Sequence, residues 1–319
     1  MPEEKNSVPP IYFNHLYIVL DDKTYRAVQG SAFLQTAFPG YERRATLTAS
    51  GESWAGSYFY CQDNYLELFG ESAGRHWHPG AQAGWAGIAF SSDQPGGVRA
   101  VRDALNAAFH HEPFNELRQV RIGDKTINWF YHVKLAERLG LGSFDSWVME
   151  YHPDIFNHKG ISLPSNGGLT RQAYLSPWNQ KHAVDPLPIA APPPAPPSGE
   201  SGPGEDKTAG SKPVSGTPVF TRITGATIHL DERRAERYAE ILTLLGYQRS
   251  ESGGALDLSA HGFTLQIRPE SDGPAGYRLS SLRLAMARPS VAPMTFIFAP
   301  GARLDLREDL TAELCFSVQ

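Results

Sequence analysis

The chain has 319 residues, of which 41% are hydrophobic, 11% aromatic and 20% charged, and its formal net charge is -5. That length suffices for two ordinary domains with cores of their own, and the scattered Lys and Arg exclude the basic stripe of a nucleic-acid-binding surface. No apolar run approaches the roughly 20 residues of a membrane span, and the only cysteines, Cys61 and Cys315, can build neither a disulfide framework nor a cysteine-zinc knuckle.

The opening segment, MPEEKNSVPP, lacks the basic and apolar regions of a secretory signal, so a cytoplasmic location is expected. IYFNHLYIVLD, from Ile11, is β-rich and apolar and ends on Asp21 and Asp22, a helix-cap signal. Tyr25, Val28, Phe33, Leu34 and Phe38 then predict a helix from Thr24 to Phe38. ERRATLTA, GSYFYCQ and YLELFG follow as strands, with turns at Ser50-Gly51 and Asp63-Asn64. The order is βαβββ. GWAGIAFSSD begins the same order again, with Asp93 in the place of Asp21. Val98, Val101, Leu105 and Phe109 mark one apolar face of a helix over Gly97 to Phe109. LRQVRIG, TINWFYHVK and DSWVMEYHP are its strands.

Residues 156–185 carry aromatics without a clean period and are expected to drape over the first domain as an irregular extension. From Pro186 to Pro218 there are ten prolines in 33 residues, mixed with Gly, Ser, Ala and charges. Proline removes backbone donors and this composition offers little to bury, which predicts a disordered linker whose proteolysis releases two folded pieces. ITGATIHLD then leads into an amphipathic helix, ERRAERYAEILTLLGY, ended by Gly246. GGALDLSA, GFTLQIRP and the remainder are strand-like, so the fourth pass lacks its helix. The expected organisation is a two-module domain over 11–155, the extension, the linker over 186–218, and a degenerate domain over 219–319.

Aligning the opening strands on Asp21, Asp93 and Asp231 puts His15, Gly87 and Gly225 at one position. Aligning the closing strands YLELF, WVMEYH and FTLQI matches Glu67, Glu150 and Gln266. FNHLYIVLD, YLELFG, GIAFSSDQPGG and WVMEYHP resemble the first and last strands of the paired βαβββ modules of the vicinal-oxygen-chelate superfamily. That superfamily includes glyoxalases, epimerases, bleomycin- and fosfomycin-resistance proteins and ring-cleaving dioxygenases. The resemblance implies an α+β fold with two cupped sheets. It also implies a divalent metal, Fe, Mn, Ni or Zn, held in the first cup by His15, Glu67 and Glu150, with Gly87 unable to supply a fourth ligand. One imidazole and two carboxylates leave positions open for two vicinal oxygens of a substrate. The expected function is a metal-dependent lyase, isomerase or dioxygenase acting on a small oxygen-rich molecule. The alternative is a non-catalytic, antibiotic-sequestering type of binder. The second domain, with Gly225 and Gln266, is expected to be structural or to form a homodimer contact.

Other residues carry less. His76 and His78 lie in a Gly-rich loop, and His110-His111 complements a helix C-terminus. His152 is a reserve ligand on the Glu150 strand. Trp54, Trp85, Trp129 and Trp147, with Tyr58, Tyr60, Tyr131 and Tyr151, are core residues or stacking surfaces for a planar ligand. No GxSxG or phosphate-loop motif is present.

Overall fold

The computed structural model describes residues 8–76, 80–110, 115–135, 144–163, 168–179, 218–270, 278–290 and 292–317. All of the predicted linker except Pro218 lies outside them. The first half runs β1 (Ile11–Leu20), α1 (Asp22–Gln29), α2 (Ala32–Ala37), β2 (Gly40–Leu47), β3 (Ser53–Tyr60), β4 (Tyr65–Gly70), α3 (Glu71–Gly74) and β5 (Ala86–Ser92). It continues with α4 (Gly97–Phe109), β6 (Asn115–Ile122), β7 (Lys125–Lys134), β8 (Phe144–Tyr151), α5 (Pro153–His158) and α6 (Arg171–Asn179). The second half contains β9 (Phe220–Asp231), α7 (Glu232–Leu244), β10 (Gln248–Ser252), β11 (Ala255–Ala260), β12 (Phe263–Glu270), β13 (Leu279–Met286), β14 (Met294–Ala299), β15 (Ala302–Leu306) and β16 (Thr311–Phe316).

Each half makes one eight-stranded sheet, in the orders β2-β3-β4-β1-β5-β8-β7-β6 and β10-β11-β12-β9-β13-β16-β15-β14. Counted from the first strand of each half, the two orders are identical. The fold is α+β. In the first sheet the edges approach each other through a bridge between Thr48 and Val120 and a hydrogen bond from Ala49 N to Gln119 O at 3.1 Å. The sheet therefore curls towards a barrel around its inner face.

Local signals account for most boundaries. Asp21 accepts from Thr24 N at 2.9 Å and Asp231 from Arg234 N at 3.0 Å, starting α1 and α7. The single helix expected over Thr24 to Phe38 is two helices. Gly30 closes α1, and Ser31 opens α2 by accepting from Leu34 N. Asp93 departs from the cap role of its counterparts, because it accepts from both the backbone N and the guanidinium of Arg171. Gly96, at φ 80°, takes the cap position of α4 and has no side chain to offer.

The halves share one apolar core. Phe33 of α2 stacks on Phe296 of β14 at 4.5 Å, so the helices of the first pass cover the sheet of the fourth, which has no helix. Tyr238 of α7 packs on Phe144 and meets Ser146 Oγ of β8 at 2.5 Å. Phe13 stacks on Phe263 at 4.0 Å, Asn64 makes two hydrogen bonds with the Ile223 backbone, and Asp63 pairs with Arg222. The chain after β8 forms helices where an irregular extension is expected over 156–185: α5, which begins before that stretch, and α6 place Ile155, Phe156, Tyr174 and Leu175 against Tyr58, Tyr60, Tyr65 and Tyr151 on the inner face of the first sheet. One end of the cup is thereby filled with protein. Among the described residues no helix is long and apolar enough to cross a membrane.

Candidate functional site

Strand alternation decides which side chains reach the open end of the first cup. From β4, Tyr65, Glu67 and Phe69 point inward, while Leu66 and Leu68 join the helix-covered core. From β8, Asp145, Trp147 and Met149 point inward. On β1 the pairing with β5 is irregular between Phe13 and His15. Such a bulge re-aims side chains, and here it sets Asn14 beside His15. Asn14 Oδ1 lies 2.7 Å from His15 Nδ1, and Asn14 Nδ2 donates to the Tyr151 hydroxyl at 3.5 Å. An amide oxygen only accepts, so His15 carries its proton on Nδ1 and presents the Nε2 lone pair to the cavity.

The cavity has a volume of about 280 Å³. Its walls are largely aromatic, from Tyr17, Trp54, Phe69, Trp129, Phe130 and Trp147. His15 stacks on Tyr65 at 4.5 Å and meets Trp147 edge-on at 5.4 Å. His15 Nε2 and Glu67 Oε1 are 3.9 Å apart, and the two side chains are only 8% and 13% exposed. That separation is too long for a hydrogen bond. Burial, reinforced by the Arg44 charge, lowers the His15 pKa to about 3. Burial raises the Glu67 carboxyl to about 7, with Arg44 and the Tyr65 hydroxyl opposing the rise. Both groups are accordingly neutral between about pH 3 and 7. The other ionised groups at the cavity are internally paired, Arg118 with Glu52 and Lys134 with Asp145.

Of the three expected metal ligands, the structure brings His15 and Glu67 together and takes Glu150 away. Glu150 is one residue out of step with the inward set on β8, and a one-residue difference in a strand reverses the face. Its carboxylate accepts from Gly96 N at 2.9 Å and Val98 N at 3.1 Å, supplying the cap that α4 lacks. Gly87 is required where it stands, because a Cβ there would lie 2.3 Å from the Tyr17 ring. Among the described residues no three His, Cys, Asp or Glu side chains are grouped to hold an ion. The expected divalent metal therefore does not fit the side chains at this cavity. His152, the reserve ligand, caps α5 by accepting from Asp154 N. His76 is exposed, and His78 lies outside the described residues.

Several cavity residues escaped sequence reasoning. Asn14 acts through the bulge, which no local pattern announces, and Tyr17 sits on the same face as His15 at the i+2 spacing that could have found it. Trp54, Trp129 and Trp147 line the cavity, whereas Tyr58, Tyr60 and Tyr151 belong to the packed end of the cup.

The family of unknown function DUF5829 matches residues 13–187. No curated protein matches the chain. Solved structures of related shape include a hypothetical protein from Staphylococcus aureus, with TM-score 0.49 and 11% identity over 90% of this chain and 95% of that one. They also include BphC, a halotolerant catechol dioxygenase, with TM-score 0.37 and 10% identity over 88% and 69%. A mutant of 4-hydroxymandelate synthase from Streptomyces coelicolor has TM-score 0.33 and 15% identity over 85% and 65%.

Proposed function

The chain belongs to the DUF5829 family, and we propose that it binds a small, planar, hydroxyl-bearing molecule in the first cup without a metal ion. In this reading the two halves of the first sheet are paired βαβββ modules of a divergent vicinal-oxygen-chelate domain. The chelating role has been replaced by side-chain hydrogen bonding. The observation that carries the proposal is the 3.9 Å gap between His15 Nε2 and Glu67 Oε1 inside an aromatic-walled cavity. A ligand hydroxyl in that gap donates to the imidazole lone pair and accepts from the protonated carboxyl, satisfying two buried groups at once. The flat walls of Trp54, Trp129 and Trp147 bury the ring of such a ligand. A volume of about 280 Å³ sits at the small end of ligand pockets, roughly 300 Å³ upward, and suits a molecule of one ring.

Phenol and catechol are the minimal probes, and quenching of the cavity tryptophans reports their binding. Saturable quenching is expected in wild-type protein at pH 6. Affinity is expected to fall about tenfold or more in His15→Ala, which removes one hydrogen-bond partner and opens the wall. Equal quenching in wild type and His15→Ala, or none in wild type, would reject the binding site.

A further inference from the structure

A second constellation lies on the other sheet, shares no residue with the cup and is independent of the ligand assigned to it. His229 of β9 meets Glu270 of β12 through Nδ1 at 2.5 Å from Oε1, and its Nε2 lies 2.8 Å from the Ser280 Oγ of β13. Nucleophile, base and carboxylate orienter stand in the order that activates a serine hydroxyl. The three come from three adjacent strands, so no contiguous motif announces them.

Strand geometry explains the meeting. In the parallel register of β12 and β9, Arg268 is opposite His229 and Glu270 opposite Asp231, which puts Glu270 one diagonal step from the imidazole. The pairing of β13 with β9 is irregular between Leu279 and Ser281. Ser280 is the extra residue of that irregularity, and its side chain turns to the face of His229 and Thr227. The alternative acceptor for Ser280 Oγ, the Thr227 carbonyl, is farther away at 3.4 Å. His229 and Glu270 are 19% and 34% exposed and Ser280 is half-buried, so a solute reaches all three. The exposed guanidinium of Arg268 is in register with His229 on the same face, where it favours an anionic partner.

We propose that Glu270, His229 and Ser280 form a nucleophilic triad that cleaves small acyl esters, preferentially those with a negative charge. Ser280 Oγ bonds to the acyl carbon as its proton passes to His229 Nε2. The ester C–O bond breaks, and the leaving alcohol takes that proton. Water then bonds to the acyl carbon and gives a proton to His229, the acyl–Oγ bond breaks to release the carboxylic acid, and Ser280 Oγ takes that proton back.

The test treats the full chain with a fluorophosphonate, whose phosphorus bonds to an activated serine with loss of fluoride. Intact mass and peptide mapping are expected to show one adduct on Ser280, absent from Ser280→Ala and His229→Ala and retained in the neighbouring Ser281→Ala. Glu270→Gln should slow labelling at least about tenfold, because the carboxylate orients the imidazole and stabilises its cation. Circular dichroism of each variant separates loss of labelling from loss of fold. No adduct in wild-type protein, or an adduct that survives in Ser280→Ala, overturns the triad.

Discussion

His15 and Glu67 hold opposite electrostatic positions in the same cavity, and their effects on stability oppose each other. An imidazole whose pKa is lowered to about 3 binds fewer protons folded than unfolded between about pH 3 and its ordinary value near 6.5. Stability from this group is therefore lost as pH falls through that window. A carboxyl raised to about 7 holds its proton in the folded state after the unfolded chain has released it near 4.5. Stability from this group is lost as pH rises from about 4.5 to 7. In the overlap, about pH 4.5 to 6.5, the two slopes cancel. Removing either group should unmask the other. Unfolding free energies from denaturant titration should rise with pH up to about 6.5 for Glu67→Gln and fall between about 4.5 and 7 for His15→Gln, by up to about 3 kcal/mol. Parallel pH profiles for both variants and wild type would show that neither group is shifted. Both residues were legible in the sequence because each occupies an inward position of a strand that opens or closes its module. Their protonation was not, since it depends on burial and on Arg44, which is remote in the chain from Glu67.

At the scale of elements, the repeated strand-helix order and the end of α4 at Phe109 were legible from apolar spacing alone. The face of β8 was not. DSWVMEYHP is apolar on both sides, because one face lines the cup and the other meets α4, so the alternation that would have separated Met149 from Glu150 is weak. The decisive event is a cap exchange. Asp93, the expected cap, is drawn to Arg171, and Glu150 serves the N–H groups at Gly96 and Val98 instead. Glu150→Ala should lower stability by about 2 kcal/mol, the scale of hydrogen bonds to a charged acceptor, and leave phenol affinity unchanged. A fall in affinity without a fall in stability would return Glu150 to the cup. Gly87→Ala forces a methyl against the Tyr17 ring. It should cost about 1–3 kcal/mol and weaken the same probe by displacing a cavity wall, both visible in one titration series.

At the scale of the molecule, the linker divides the sequence but the core does not follow the division. The helix-less last pass relies on α1 and α2 of the first half for cover, and α7 of the second half covers Phe144 and Ser146 of the first. Composition reveals a proline-rich break, whereas contacts between distant apolar faces leave no local trace, and so the expectation of two pieces released by proteolysis gives way to a different one. Protein cut between 186 and 218 should remain one particle by gel filtration and unfold in one transition with urea. Two separable folded fragments would contradict the shared core. The central claim is that the first cup holds its ligand with side chains and not with an ion. It is tested most directly by titrating catechol into protein stripped with a chelator, and again after adding Mn, Fe, Ni or Zn. The predicted result is the same saturable binding in every case, with the same weakening by His15→Ala whether or not an ion is added. Binding that vanishes on stripping and returns with one of the ions would contradict it.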